Sequence, residues 1–344
     1  MDKPVKAPPA RELWADALRS LACVMVIVIH VCGTDWYTLP ATGGAWQLAN
    51  VLDSLVRPAV PIFFMLSGSF LLRREPEGKK TLFMALRLFI LWLVMYLFYA
   101  VKAGGVQLLQ QPKMLLRALV FPQEHYHLWF LRTIVCLYLL LPVLRALVAY
   151  ADGKWVKWYL AVFLLFGILR PSLAQLPFQN RGWGQLFVPE LCRYAGCFVL
   201  GWYLTARTAP PPKEKRPLYA LIYVAVAALI AVGTYFYSRN TAHNDERLYS
   251  YLALPVLTMA VCLFQLARTW RDCGLLRLAA RFAPLTLGVY VLHPFALDVL
   301  RLVGIRSESL PRALFIPAAT LGALAVSAGL SWCLRRIPLV KKFF

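Results

Sequence analysis

The chain has 344 residues, of which 60% are hydrophobic and 15% are charged. Soluble domains carry about 25% charged residues, so this composition excludes an ordinary soluble enzyme and indicates a protein that crosses the membrane several times. The formal net charge is +21, but the Lys and Arg residues are clustered between apolar segments and form no single basic surface. The charge therefore reflects membrane topology and argues against a nucleic-acid partner.

Apolar segments of about 20 residues, the length that crosses a hydrocarbon core of about 30 Å, recur along the whole chain. Lys and Arg are more abundant in the N-terminal segment and in alternate loops, which places these parts and both termini in the cytoplasm. The sequence therefore predicts an all-α fold, a polytopic membrane helix bundle of about ten transmembrane helices. The predicted segments are 17–35, 51–72, 82–101, 126–148, 155–170, 189–206, 218–238, 249–269, 281–301 and 312–334.

The pattern does not divide the chain, and residues 1–344 are predicted to form a single membrane domain. Residues 1–15 contain prolines and charges in place of the apolar core of a signal peptide, so we expect a cytoplasmic segment before an uncleaved first helix. Residues 207–217 contain three consecutive prolines and several basic residues, which predicts a stiff cytoplasmic connector. The longest outer loops are predicted at 35–50, 103–124 and 171–188.

The first predicted helix carries two residues that are costly in an apolar environment, Arg19 and His30. Three helical turns take about 10.8 residues, so these side chains, 11 positions apart, project from nearly the same face and lie about 16 Å apart along the axis. We expect Arg19 near the cytoplasmic boundary and His30 beyond the midplane, lining one cavity. A donor with an anionic head and a long arm fits this layout, and coenzyme A has that shape. His30 could accept a proton from an attacking hydroxyl or carry the acyl group itself.

Both residues also have a purely structural interpretation. A single histidine inside a membrane helix can be a hydrogen-bonded packing residue, and an arginine near a helix end can extend its charged group to the interface. The eight cysteines show no CxxC pair and no metal-ligand spacing. They are interpreted as packing residues, and no metal site is expected.

Two prolines in the second predicted helix draw attention to its polar residues. Pro58 and Pro61 remove backbone donors and are expected to distort the helix near its outer end. If the freed carbonyl groups face the cavity, Arg57 and Ser67 line it. The alternative is a plain kink with an arginine that reaches the interface.

Polar residues in later helices are further candidates for substrate binding. Glu190 and Arg193 are spaced i,i+3 and form either a structural pair or a group that orients the acceptor. His293 is predicted at a depth similar to that of His30, so the two could share a site, one as base and one as an orienting or oxyanion group. The alternative is a core histidine that donates to a free carbonyl beside Pro294.

The fourth predicted helix has polar and aromatic residues at its outer mouth. His125, His127 and Trp129 are most simply explained as an aromatic belt at the interface. Arg132 follows them on the same predicted helix, so the alternative is that these residues bind substrate. The candidates for substrate binding outside the second helix are Asp16, His127, Trp129, Arg132, Glu190, Arg193, Tyr290 and His293.

Four motifs together resemble a known family. They are the Arg19-x10-His30 spacing, the Phe-Phe-x-x-Ser-Gly segment at 63–68, the His-Leu-Trp-Phe-Leu segment at 127–131 and the Tyr-Val-Leu-His segment at 290–293. The first two are fairly specific together, whereas the third alone is weak. Over nearly its whole length the chain resembles the acyltransferase-3 family of integral membrane acyltransferases, in particular the branch around the enterobacterial common antigen O-acetyltransferase.

The resemblance implies a bundle of about ten helices that moves an acyl group, usually acetyl from acetyl-CoA, to a hydroxyl of a surface glycan or its lipid-linked precursor. It also implies that Arg19 is the donor-side arginine and His30 the essential histidine. Many members carry a basic run at the start of the third helix. In this chain the run is reduced to Lys79, Lys80 and Arg87, which the resemblance places at the phosphates of CoA.

The sequence thus predicts a multi-pass O-acyltransferase of the bacterial inner (cytoplasmic) membrane, surrounded by membrane lipid. Acetyl-CoA is the expected donor, and a glycan or lipid-linked glycan is the expected acceptor. Two other classes stay open. A transporter or flippase would use the same charges to bind a polar or lipid-linked substrate without chemistry, and a non-catalytic module would serve as a sensor or an uptake domain paired with a separate enzyme.

Overall fold

The computed structural model describes residues 12–73, 78–104, 113, 125–150, 153–174, 190–241 and 244–343. Within these residues the secondary structure is helical and contains no β-strand. A π-helical segment spans Phe163–Leu169. The α-helices, numbered in chain order, are α1 (Leu13–Thr38), α2 (Gly44–Val56), α3 (Ala59–Leu71), α4 (Gly78–Gly104), α5 (Trp129–Tyr150), α6 (Gly153–Val162), α7 (Arg170–Ala174), α8 (Glu190–Arg207), α9 (Arg216–Ser238), α10 (Leu254–Ala267), α11 (Gly274–Phe282), α12 (Thr286–Leu302) and α13 (Arg312–Leu334).

Nine helical stretches in the described part of the chain are long and apolar enough to cross a membrane. The prediction of an all-α polytopic bundle is therefore confirmed. The predicted segment at 189–206 is also helical, but α8 carries three charged residues in its 18 positions, Glu190, Arg193 and Arg207. Its middle is buried in the bundle, and Phe198 is 0% exposed. α8 is thus an interior helix that the other helices shield.

The connection between the first two helices is much shorter than predicted. α1 continues to Thr38 and α2 begins at Gly44, so the predicted outer loop at 35–50 is wrong. Its polar residues resemble a loop in sequence, but Asp35 is 2% exposed and pairs with Arg312 of α13 at 2.8 Å. This ion pair neutralises the carboxylate inside the bundle, so the helix can continue past Asp35. The other two predicted loops lie largely outside the described residues.

The second predicted span is divided into two helices at Arg57 and Pro58. Proline has no backbone N–H, so Pro58 and Pro61 leave the carbonyl groups of Ser54 and Arg57 without their intrahelical donors. α2 therefore ends at Val56 and α3 begins at Ala59. The break lies midway along the stretch 44–71, not near its outer end as predicted. A charged side chain at a break in mid-span is positioned to face the interior of the bundle.

Two glycines bring α3 and α8 into backbone contact. A Cβ atom on Gly68 would overlap the backbone carbonyl of Phe198, and a Cβ atom on Gly201 would overlap the backbone carbonyl of Met65. Small residues allow this close approach between membrane helices. The glycine of the Phe-Phe-x-x-Ser-Gly segment is therefore required by packing.

Polar contacts fix the end of the bundle at which α1 begins. The predicted topology places this end in the cytoplasm. Glu12, just before α1, pairs with Arg73 after α3 at 3.0 Å. Arg145 of α5 is 4% exposed and donates to the carbonyl of Leu71 and to the Thr81 hydroxyl, each at 3.0 Å. These contacts tie together the ends of four helices, α1, α3, α4 and α5.

Candidate functional site

A cavity of about 790 Å³ opens at the end of α1 that is distant from Arg19. His30 and the residues one and two turns later on the same helix face form one wall, because residues three or four apart share a face. The other walls come from the α2–α3 break, the start of α5, α8 and the segment before α10. The lining residues are Ile29, His30, Gly33, Thr34, Tyr37, Thr38, Arg57, Tyr126, Trp129, Tyr194, Glu246, Tyr249, Ser250, Tyr251, Leu252 and Arg301.

Arg57 is the most deeply buried charge on the cavity wall, with 8% of its surface exposed. Its Nη2 atom donates to Oδ2 of Asp53 at 2.6 Å, and Asp53 is 0% exposed. The guanidinium carbon lies 4.0 Å from the ring centroid of Tyr249 and 5.6 Å from that of Tyr251. A buried charge needs a partner of opposite sign and further favourable contacts. The carboxylate and the two rings hold the guanidinium in one orientation beside the cavity.

The cavity wall formed by residues 246–252, the wall segment, is anchored at both ends. The Tyr249 hydroxyl donates to the backbone carbonyl of Asn50 at 2.9 Å and contacts its side-chain Oδ1 at 2.5 Å. Arg193 Nη2 of α8 donates to the carbonyl of Leu252 at 3.3 Å. Ser172 accepts from the backbone N–H of Leu254 at 2.9 Å. The wall segment is therefore held by α2 and α8, and the start of α10 that follows it is held by α7.

Aromatic rings cover much of the remaining wall. Trp129, at the first residue of α5, lies with its ring centroid 5.7 Å from Tyr251 and 5.6 Å from Tyr194. Tyr126 lies against His30 at 4.7 Å. Aromatic faces with adjacent hydroxyl groups suit a ligand that has both apolar and polar faces.

Four of the five histidines of the chain lie together next to the cavity. We call His30, His125, His127 and His293 the histidine cluster. The ring centroids of His30 and His293 are 5.0 Å apart, those of His293 and His127 are 5.5 Å apart, and those of His127 and His125 are 5.1 Å apart. The aromatic-belt interpretation is wrong for His127, which is 1% exposed because the turn before α5 folds it inward, whereas the half-buried His125 stays at the outer end of the cluster.

Tyrosines fix the position of the histidine cluster. The Tyr290 hydroxyl donates to the backbone carbonyl of His127, and the Tyr99 hydroxyl donates to the carbonyl of Val291 at 2.9 Å. The Tyr99 ring also lies 4.3 Å from that of His125. Tyr290, which the sequence places one turn before His293 on α12, is thus in contact with the cluster.

Arg19 lies at the other end of α1 from the cavity. Its Nη1 atom pairs with Oδ1 of Asp16 at 3.2 Å, and one third of its side chain is exposed. Both residues were expected to line one cavity, but this cavity wall includes His30 and not Arg19. Three basic residues of α4, Lys79, Lys80 and Arg87, are exposed.

Several other predicted site residues whose side chains the structure describes do not line this cavity. Ser67 is half-buried on α3, and Arg132 is exposed on α5. Arg193 donates through Nε to the carbonyl of Gly167 at 2.6 Å, in the π-helical segment. Glu190 is the first residue of α8, but its side chain lies outside the described residues. Within the described part of the chain, no group of three or more His, Cys, Asp and Glu side chains could hold a metal ion.

Sequence reasoning missed two groups at the site. Asp53 was detectable, because it precedes Arg57 by four residues, which is the spacing of a helical ion pair. The wall segment had no such signal, because its residues 246–252 contact the cavity only through tertiary packing.

The fold and the site define a class of protein: a multi-pass membrane helix bundle that has a histidine in an aromatic-lined cavity at one end. Residues 12–332 match a family described as an acyltransferase domain. The chain belongs to this family, the acyltransferase-3 family.

Two curated relatives of the chain are named racemases and not acyltransferases. An amino-acid racemase of Enterococcus faecalis is 25% identical over 304 residues, which cover 83% of this chain and 41% of the racemase. A serine/alanine racemase of Enterococcus gallinarum is 24% identical over 306 residues, which cover 82% of this chain and 40% of that protein. The chain thus spans about two fifths of the length of these relatives. No solved structure matches the chain.

Proposed function

We propose that the protein transfers an acetyl group from cytoplasmic acetyl-CoA to a hydroxyl of a cell-surface glycan or a lipid-linked glycan precursor. The observation that carries this proposal is the placement of His30 in a cavity lined by tyrosines and Trp129, next to the buried Arg57. The bacterial inner membrane is the proposed location. The proposed branch of the family is the one around the enterobacterial common antigen O-acetyltransferase.

The proposed donor approaches from the end of α1 that carries Arg19. The phosphates of CoA need cations, and Lys79, Lys80 and Arg87 of α4 are exposed on that side of the predicted topology. Arg19 holds the donor, with Asp16 orienting its guanidinium through the 3.2 Å ion pair. The distance along α1 to His30 is about 16 Å, which the long pantetheine arm of CoA would have to span.

The proposed reaction at His30 is general base catalysis. His30 takes the proton of the acceptor hydroxyl while the oxygen attacks the thioester carbonyl, so that a C–O bond forms, the C–S bond breaks and CoA leaves as a thiolate. In the second version His30 is itself acylated first and then transfers the group to the hydroxyl. In both versions Trp129 and the tyrosines position the sugar, and Arg57 faces the polar groups of the acceptor.

The test is acetyl-CoA turnover by the purified protein in lipid nanodiscs, measured as release of free thiol with and without an extract of bacterial membrane glycolipids. We expect His30→Ala to abolish turnover and Arg19→Ala to raise the KM for acetyl-CoA. The control is Arg239→Ala, at an exposed position outside the cavity. Normal acetylation of the extract by a stably folded His30→Ala protein would disprove the role of His30.

A second candidate is uptake of a small amino acid such as serine or alanine. The two relatives are named for amino acids, one of them for serine and alanine. The cavity wall includes both Arg57 and Glu246, which match the two charged ends of an amino acid. Flux of labelled serine into proteoliposomes without thiol release would support transport. The same experiment with a labelled lipid-linked sugar tests a flippase.

A further inference from the structure

The histidine cluster contains more imidazoles than acyl transfer at His30 uses. His127 and His293 are 1% and 0% exposed and are absent from the cavity wall. In each ring Nε2 is buried without a hydrogen-bond partner among the described residues. An unsatisfied buried polar atom costs stability, so apolar side chains would pack better at both positions. Packing alone does not explain two such atoms in rings that contact each other.

The hydrogen bonds of the cluster define where a proton can be taken up. His293 Nδ1 lies 2.7 Å from the carbonyl oxygen of Tyr290. A carbonyl only accepts, so Nδ1 carries the hydrogen and Nε2 presents a lone pair. Nδ1 of His127 lies 3.0 Å from Nδ1 of His125, so one of these atoms donates and the other accepts. His127 and His125 can each bind a proton on one nitrogen and release a proton from the other. His293, whose Nδ1–H is held by the Tyr290 carbonyl, takes up and gives up a proton at Nε2.

The cluster extends from the cavity to the surface of the bundle. His125 is half-buried and lies outside the membrane-crossing stretches. Burial and the positive charge of Lys102 lower its pKa, and Asp298 opposes this effect. Lys102 and Asp298 pair with each other, with 38% and 29% of their side chains exposed. A protonated His125 therefore gives up its proton readily to water.

We propose that His293, His127 and His125 form a proton path that connects His30 to water at this end of the bundle. The path rests on the proposed acyl transfer, in which the acceptor hydroxyl loses its proton to His30 and the CoA thiolate takes a proton from cytoplasmic water. The proton on His30 leaves through the path, so each turnover releases one proton at the outer end. The ring centroids of His30 and His293 are 5.0 Å apart and those of His293 and His127 are 5.5 Å apart. At these separations a bridging water would have to carry the proton in each of the two steps.

Two substitutions at His125 separate a proton path from a structural role. Asn in His125→Asn can still donate to Nδ1 of His127, but it cannot carry a proton. His125→Ala leaves space for imidazole from the buffer. We expect both variants to slow acetyl-CoA turnover by about tenfold or more without a change in the KM for acetyl-CoA. Imidazole should restore the His125→Ala rate with a saturating concentration dependence, and sodium chloride at equal ionic strength should not.

The outcomes decide between the two roles. Wild-type turnover by His125→Asn, or a His125→Ala rate that imidazole does not raise, would overturn the proton path. Thermal unfolding of both variants shows whether they are folded as the wild type is. If the wild type itself releases no thiol, the acyltransferase proposal fails separately.

In that case the path is decided by nuclear magnetic resonance on protein with ¹⁵N-labelled histidine transferred into D₂O. The path makes exchange of the His127 ring N–H faster in the wild type than in His125→Asn. Equal exchange rates in the two proteins would refute it.

Discussion

Replacement of Asp53 by alanine should destabilise the protein far more than removal of the whole ion pair. Asp53 is 0% exposed, and its carboxylate lies 2.6 Å from Nη2 of Arg57, which is 8% exposed. In Asp53→Ala the guanidinium stays buried without its counter-charge. Breaking a buried pair in this way typically costs about 3–5 kcal/mol.

The double variant Asp53→Ala, Arg57→Met removes the buried charge together with its partner. Replacing a buried ion pair by apolar side chains is often neutral. The remaining loss is the contact between Arg57 and the Tyr249 ring, 4.0 Å away, which is worth about 2 kcal/mol when desolvated. We therefore expect the double variant to lose about 2 kcal/mol, less than either single variant.

The assay is equilibrium unfolding in mixed micelles, with increasing SDS and detection by tryptophan fluorescence. Asp53→Ala, Arg57→Met and the double variant together form a mutant cycle. A double variant that is as unstable as the sum of the two single variants would refute the view that Asp53 neutralises Arg57. The pair would then act as two independent contacts.

Three further predictions concern packing, the cytoplasmic end and pH. Gly68→Ala should cost about 1–3 kcal/mol in the same unfolding assay, because its methyl group would overlap the backbone of α8. The control is Gly329→Ala, which has open space around it and should be neutral or slightly stabilising. Arg145→Met should cost about 1–3 kcal/mol in SDS unfolding, because the carbonyl of Leu71 loses its donor. An unchanged free energy of unfolding would contradict the conclusion that Arg145 ties the helix ends together. The pKa of His125 is lowered in the folded protein, so the unfolded chain binds more protons as the pH falls below about 6.5. Acidification should therefore destabilise the wild type more than His125→Asn, and equal pH profiles would show that His125 titrates normally.

Much of the fold follows from the sequence because hydrophobic length is a strong constraint in a membrane. Segments such as 312–334 coincide with the observed helix, since about 20 apolar residues must cross as a helix. Polar residues were the source of error. Asp35 resembles part of a loop, and only its ion pair with Arg312, which lies far away in sequence, explains why it stays in α1.

The candidate site was predictable only where its residues lie on one helix or at one depth. The periodicity of α1 placed His30 on a defined face, and counting residues from the membrane boundary placed His293 at the same level. The structure brings these two rings into contact. The depth of a residue does not determine which way a turn folds. His127 was therefore assigned to the surface, whereas the turn before α5 folds it into the histidine cluster.

The contact of Gly68 and Gly201 with the facing backbones has a consequence for motion. Helices that touch backbone to backbone have no side-chain layer that could slide or repack, so α3 and α8 move as one body. Arg57 precedes α3 and Tyr194 is part of α8, so these two cavity walls keep a constant separation. Opening of the cavity for a large ligand must therefore come from α1, the start of α5 or the wall segment.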